Sequence, residues 1–347
     1  MNNRPGMTKF EAIACAIVVL AIVIGLVSLL RLDVTGERGS GLRSDFVYDV
    51  SDLTKVDPAL ILYDESGVTI ITEQTGTSAI AIDGSDNIYV TGADKVVIFD
   101  TAGKQIRQFP VNGPVRAIAV STDGNIYIGY RDRVEVLDRG GMTISKWPSL
   151  GNKAVITSIA VGAEDVFVAD AGNREVVRYD HDGNIVSVIG KKDEDRNIPG
   201  FVIPSPYFDL ALADDGLLRV VNPGGRRIEA YTFDGDLEFS WGKASAGIEG
   251  FCGCCNPVNF AILTDGSFIT CEKGLIRIKQ YDSDGEFVGV VAATARFIDP
   301  KQARVCETPA LCQTGGFDVA VDSKDRVYVL DTIRNVVKIF TKKEAGK

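Results

Sequence analysis

Six cysteines in the last third of the chain are the residues best equipped for chemistry. Cys252, Cys254 and Cys255 stand together in GFCGCCNP, Cys271 closes the run SFITC, and Cys306 and Cys312 follow. In an oxidising compartment such a set reads as two or three disulfides. As thiolates the same residues could hold zinc or an iron–sulfur cluster, although C-x-C-C differs from the C-x-x-C pairs of common zinc sites. A second set is Asp209, Asn259 and Asp318, two carboxylates and an amide of the kind Ca2+ accepts as oxygen ligands. The plainer reading is that these three hydrogen-bond one another or water. His181, in the turn YDHDG, is the only histidine of the chain. That removes most histidine acid–base catalysis and every multi-histidine metal site.

The charge balance narrows the partners. Among 347 residues, 37 are Lys or Arg and 47 are Asp or Glu, a net charge of −10. Nucleic-acid binding depends on clustered Lys and Arg that release counterions from phosphates, so this balance argues against it. It also disfavours docking on an anionic lipid surface. Residues 12–30, AIACAIVVLAIVIGLVSLL, contain no charge. At about 1.5 Å per residue they nearly span a hydrocarbon core of ~30 Å. No small-x-small cleavage site follows, so the run is expected to be an uncleaved transmembrane signal-anchor helix. Residues 1–11 then form a short tail and residues 31–58 a polar linker. Arg4 and Lys9 precede the run and Arg31, Arg38 and Arg43 follow it, yet long domains translocate largely regardless of such charges. The cysteines favour an oxidising compartment downstream. The expectation is a single-pass membrane protein whose C-terminal part is extracytoplasmic, periplasmic or extracellular.

The elements that must position the cysteines and oxygen ligands repeat. Between residues 250 and 292 the runs NFAIL, SFITC, IRIKQY and EFVGVV alternate apolar and polar residues and are split by TDG, EKG and DSDG. Period-two patterning between Gly and Asp turns reads as four antiparallel strands. The pattern recurs. Its first strands are AIAID (79–83), AIAVS (117–121), SIAVG (158–162), DLALA (209–213), NFAIL (259–263) and DVAVD (318–322). Second and third strands follow in all six repeats, but the sixth runs into the charged tail KKEAGK without a fourth. A ring of four-stranded blades needs that strand from elsewhere. The run ALILYDESGVTIITE, residues 59–73, resembles an outer hairpin with DESG as its turn, and its VTIITE half can supply the missing strand. The fold class is therefore all-β, a six-bladed propeller over residues 59–347 closed by an N-terminal strand and preceded by one transmembrane helix.

The third repeat, SIAVGAEDVFVADAGNREVVRYDHDGNIVSVIG, resembles the NHL repeat, with its inner strand, its iyVaDtgN segment and its vfd-dG turn. VLDTIRNVVKIF carries the middle of the same pattern, and GFCGCCNPVNFAIL its lead-in and inner strand. The resemblance covers about residues 79–341 and implies an NHL-type propeller. Gluconolactonase-like propellers use a central calcium for hydrolysis, which makes Asp209, Asn259 and Asp318 calcium candidates here. This chain lacks the fuller set of acidic and amide ligands expected of those enzymes. The amidating lyase holds zinc with several histidines and the quinoprotein sugar dehydrogenases use a histidine base, so neither fits a chain with one. RNA-binding NHL domains carry a basic face. Membrane-tethered bacterial sensor kinases carry such propellers outside the cell, but no kinase segment is present.

In a propeller of this connectivity, the loops from fourth strand to next first strand and from second to third strand crowd one end of the ring. The repeats lengthen there, at residues 191–208, 243–258 and 293–317, and insertions on a rigid scaffold are where binding resides. The same register brings all six cysteines to that face, and it sets Asp209, Asn259 and Asp318 at the channel mouth. The leading expectation is a binding or scaffold module whose protein or small-molecule ligand sits on the long-loop face. The alternatives are a calcium-dependent hydrolase and a redox or electron-transfer accessory using the cysteines. Ca2+ or a thiolate-bound metal are the candidate cofactors.

Overall fold

The computed structural model describes residues 9–31, 50–300 and 316–344. The chain forms two compact units. The first contains α1 (Lys9–Arg31), whose exposed residues include Ile17, Leu20, Ile24 and Leu26. Among the described residues no helix is long and apolar enough to cross a membrane. The helix expected over 12–30 is present; the described residues do not carry its crossing of a bilayer.

The second unit is a ring of six antiparallel sheets of four strands each. Blade 1 holds β2 (Ile80–Ile82), β3 (Ile88–Thr91), β4 (Lys95–Phe99) and β5 (Gln105–Pro110). Blade 2 holds β6 (Ala117–Val120), β7 (Ile126–Gly129), β8 (Val134–Leu137) and β9 (Thr143–Lys146). Blade 3 holds β10 (Ile156–Val161), β11 (Asp165–Asp170), β12 (Glu175–Asp180) and β13 (Ile185–Ile189). Blade 4 holds β14 (Leu210–Leu212), β15 (Leu218–Asn222), β16 (Arg227–Tyr231) and β17 (Leu237–Trp241). Blade 5 holds β18 (Asn259–Ile262), β19 (Phe268–Cys271), β20 (Ile278–Tyr281) and β21 (Phe287–Ala292). Blade 6 holds β22 (Asp318–Val321), β23 (Val327–Asp331) and β24 (Val336–Lys342), and its outer strand is β1 (Tyr63–Ile71).

That outer strand closes the ring. β1 pairs antiparallel with β24, from Tyr63 opposite Lys342 to Ile71 opposite Val336, with a bulge between Glu65 and Thr69. The DESG segment is thus a bulge inside one strand and not the turn of a hairpin. A hairpin would have offered a second strand with nothing beyond it to pair with.

Burial follows position in the blade. Second strands such as β3, β7 and β15 are buried at every residue, whereas the outer strands β5, β9 and β13 expose most of theirs. Middle strands are covered on both faces by neighbouring blades, so their near-continuous apolar runs have water on neither side. Each of six apolar clusters lies between two consecutive blades. Trp147 packs on Tyr179 at 4.7 Å in one of them and Trp241 on Phe268 at 4.9 Å in another. Four of the hairpins between third and fourth strands share one device. Asp100, Asp138, Asp180 and Asp282 each accept the amides two and four residues on, at 2.8–3.0 Å. The glycine that follows takes the left-handed conformation, as Gly183 does at φ +86°, which a side chain would resist.

Candidate functional site: the mouth of the central channel

The six first strands, β2, β6, β10, β14, β18 and β22, touch one another in cyclic order and form the inner wall of the ring. The residues aligned at their upper ends are Ala79, Ala117, Ser158, Asp209, Asn259 and Asp318. The structure brings the polar ones together as ties between blades. Asp209 accepts the Phe260 amide of blade 5 at 2.8 Å and its own neighbour Leu210 at 2.9 Å. Asp318 accepts the Ile80 amide of blade 1 and the Val319 amide, both at 2.9 Å. Asn259 donates through Nδ2 to the Phe317 carbonyl at 2.7 Å. Ser158 exchanges weaker contacts with the Leu210 backbone at 3.4 Å, and Thr157 donates to the Phe208 carbonyl at 2.5 Å.

Burial raises both acids. Asp209 is pushed up to about 6 by desolvation, against the pull of the hydrogen bonds it accepts. Asp318 is pushed up to about 8, first by desolvation and then by the charge of Asp209. With burial favouring their protonated forms, the two offer a cation little negative charge. Ca2+ takes six to eight oxygens, and here each carboxylate oxygen already accepts one backbone amide. Among the described residues no group of three or more His, Cys, Asp or Glu could hold a metal ion. The oxygen set does not fit calcium.

Above these residues opens a cavity of about 580 Å3, lined by Ser78, Arg116, Thr157, Tyr207, Asn259 and Asp318 and rimmed by Pro206, Thr332 and Ile333. Its hydroxyls are turned into the wall. Ser78 donates to the Val115 carbonyl, Thr77 to Asn335 and Thr332 to the Gly316 carbonyl, and Tyr207 accepts the Gly316 amide. Arg116 was not among the sequence-derived site residues. The signal lay in the repeat register: at the position before each aligned residue stand Ser78, Arg116, Thr157, Phe208, Val258 and Phe317, and only one of these is charged.

The cysteines divide. Cys271 ends β19 inside the core between blades 5 and 6, fully buried. Desolvation, with the charges of Asp318 and Asp209 added, holds its thiol well above the usual range, the setting of an unreactive, buried cysteine. Cys252 is half-buried with a free thiol, raised by burial and by Glu272. Cys254 and Cys255 bring their sulfurs to 3.6 Å, a contact and not a bond. No disulfide joins two described cysteines. Cys306 and Cys312 lie outside the described residues.

What orders the cysteine-bearing lead-in is a buried ion cluster that the sequence reading did not find. Glu272 follows β19, where blades 3 and 6 carry Asp170 and Asp331. Those aspartates accept the amides of their own turns, and Asp170 also takes the Val155 amide of the lead-in. Glu272 does the same work with a longer arm. It accepts the Cys252 amide at 2.8 Å and pairs with Arg277 at 2.6 Å and Lys279 at 3.2 Å, all three side chains being essentially inaccessible. Lys279 also donates to the Gly250 carbonyl at 2.6 Å and lies over the Phe251 ring at 4.6 Å. Burial pushes Lys279 down to about 8. Burial opposes ionisation of Glu272 as well, but Lys279 and Arg277 hold it below the usual carboxylate range.

His181 lies in the hairpin between β12 and β13, at the opposite end of the ring. It bonds Tyr127 Oη at 2.9 Å and the Ala163 carbonyl at 3.1 Å. It faces no part of the channel mouth.

No protein-family profile matches the chain, and no curated protein matches it in sequence. Solved structures do. Virginiamycin B lyase from Staphylococcus aureus superposes with a TM-score of 0.55 at 14% identity, covering 81% of this chain and 100% of that one. The Pan2 WD40 domain of Neurospora crassa gives 0.54 at 12% identity, over 84% and 98%. A protein of unknown function from Bacteroides caccae gives 0.51 at 14% identity, over 68% and 94%. At these identities the likeness shows the fold alone, a β-propeller whose neighbours include a lyase and WD40 domains.

Proposed function

We propose that this chain is a membrane-anchored, extracytoplasmic NHL-type propeller that works as a binding module, taking a ligand or partner on its long-loop face at the axial cavity. The cavity carries this reading. It lies where the lead-in loops converge, its walls are held by inter-blade hydrogen bonds, and its volume suits a small molecule or a short peptide segment. The NHL assignment rests on the repeat motifs around Asp170 and Asp331. The anchor rests on the uncharged run 12–30 and the helical Lys9–Arg31 that contains it.

A hydrolase or lyase reading has less behind it. The carboxyls of Asp209 and Asp318 are committed to backbone amides. A histidine-to-alanine variant of virginiamycin B lyase is catalytically inactive, whereas His181 sits away from this cavity. A redox role is disfavoured for Cys271 by its burial.

The test is to purify the full chain from its native membrane and identify retained small molecules and proteins by mass spectrometry, beside a Thr332→Trp variant that narrows the rim. Material retained by the wild type and lost from the variant supports the reading. Identical retention by the two proteins would overturn it.

A further inference from the structure

The axial cavity is polar by composition but nearly saturated in its hydrogen bonding. Ser78, Thr77, Thr157, Thr332 and Asn259 all donate into the wall, and both oxygens of Asp318 accept amides. Arg116 is the exception. It is exposed at the mouth, and its guanidinium makes no hydrogen bond or ion pair with any described residue. Arg133, Arg178 and Arg334, by contrast, are each matched to a carboxylate. In a chain of net charge −10, a guanidinium left unmatched on the rim of a cavity is conspicuous. Opposite it the lining turns apolar, with Pro206, the Tyr207 ring and Ile333, which is 52% exposed.

We propose that the ligand of the axial cavity is a monocarboxylate with an apolar body, its carboxylate paired with Arg116 and its body laid against Tyr207, Pro206 and Ile333. Guanidinium and carboxylate match as a planar, two-bond fork, which a lone ammonium cannot reproduce. The Asn259 amide oxygen is left to accept a donor from the body of the ligand. The acid pair beneath retains a proton at neutral pH, since burial lifts both carboxyls, so the floor repels an anion less than two carboxylates would. The C-terminus of a peptide and a free organic acid present the same chemistry. This inference rests on the binding-module reading and adds the class of ligand.

The full chain in detergent is titrated with two sets of probes, read by ligand-observed NMR and thermal shift. One is a pool of tripeptides ending in Leu, Phe or Val with free C-termini, beside the same pool amidated. The other is a pool of aliphatic and aromatic monocarboxylic acids beside their amides. Binding of a free-carboxylate pool, weakened tenfold or more by amidation and by Arg116→Gln, and partly kept by Arg116→Lys, is the expected result. The pool that binds identifies the source. Amides binding as well as acids, Arg116→Gln binding as well as wild type, or neither acid pool binding would overturn the carboxylate assignment. If material lost from Thr332→Trp is still retained by wild type in those cases, the binding-module reading survives and only the ligand class falls. Arg116 holds no side-chain partner among the described residues, so its variants are expected to unfold at the wild-type temperature, which the thermal scans verify.

Discussion

Asp209 and Asp318 show how one residue type can serve architecture while looking like a site. Two carboxyls and an amide around a channel have the composition of a cation cage, yet each carboxyl accepts one backbone N–H of the next blade and one of its own strand. A carboxyl whose folded pKa lies above its unfolded value holds its proton more tightly in the native state. The stability it contributes is therefore complete below about pH 4 and is lost as pH rises through about 6 for Asp209 and about 8 for Asp318. The melting temperature should decline from pH 5 to pH 9. Asp318→Asn should flatten the decline, because its side-chain oxygen still accepts the Ile80 amide while one of the two interacting charges is gone. The variant should lie somewhat below wild type near pH 5, because its amide nitrogen cannot accept the Val319 N–H, and should close or reverse that gap by pH 9. Parallel thermal scans of the two proteins decide it, and identical pH profiles would mean that the acids do not titrate together. Arg116 is the converse case: a side chain without a hydrogen-bond or ion-pair partner among the described residues, visible in the sequence only once the six repeats are in register.

At the scale of elements, most of the design was legible. The alternation of AIAVS, NIYIG and VEVLD reads directly as β6, β7 and β8, because a strand buried on one or both faces must keep its period. The Asp–Gly hairpins were legible because their chemistry is local. Residues 59–73 were misread in part, since DESG resembles the DSDG turn and only pairing with β24, more than 250 residues away, makes it a bulge. The cysteine-rich lead-in was the largest miss. Its order was expected from crosslinks, whereas the structure supplies Glu272 from the strand end. No local pattern announces that a charge in CEKGLIRIK will be buried. Removing one member of a buried ion cluster leaves the others unpaired, at a cost of about 3–5 kcal/mol. Glu272→Gln should therefore lower the melting temperature by roughly 10 °C and open residues 243–258 to proteolysis before the rest of the ring. Unchanged melting together with an intact lead-in under protease would show that the loop is held by something else.

The propeller unit is a ring whose two ends differ. The turn end presents Asp-rich hairpins, at Asp83, Asp138, Asp180 and Asp282 among others, while the loop end carries Arg116, Arg131, Arg174, Lys243 and Arg334. A net charge of −10 conceals this division: it argues against nucleic acid and anionic lipid surfaces, while Arg116 at the loop end favours the small anion proposed above. Closure is what lets such a ring stand by itself. β1 covers the edge of β24, and the chain just before it is tied in too: Val50 and Leu53 pack on Leu275, and Leu62 bonds the Val290 carbonyl at 2.9 Å. The described part of the propeller unit therefore begins at Val50, and its blades bury their apolar faces against one another. A chain starting at residue 48 should be soluble, monomeric and rich in β-structure, with the melting temperature of the full protein. A chain starting at residue 74 lacks β1 and leaves the blade 6 edge unpaired, a ready template for pairing with another copy. It should melt well below the first and associate in solution. Sedimentation, circular dichroism and thermal scans of the two truncations separate the outcomes. Equal stability would show that β1 does not close the ring, and pelleting of the chain from residue 48 with membranes after a high-salt wash would place an anchor outside α1.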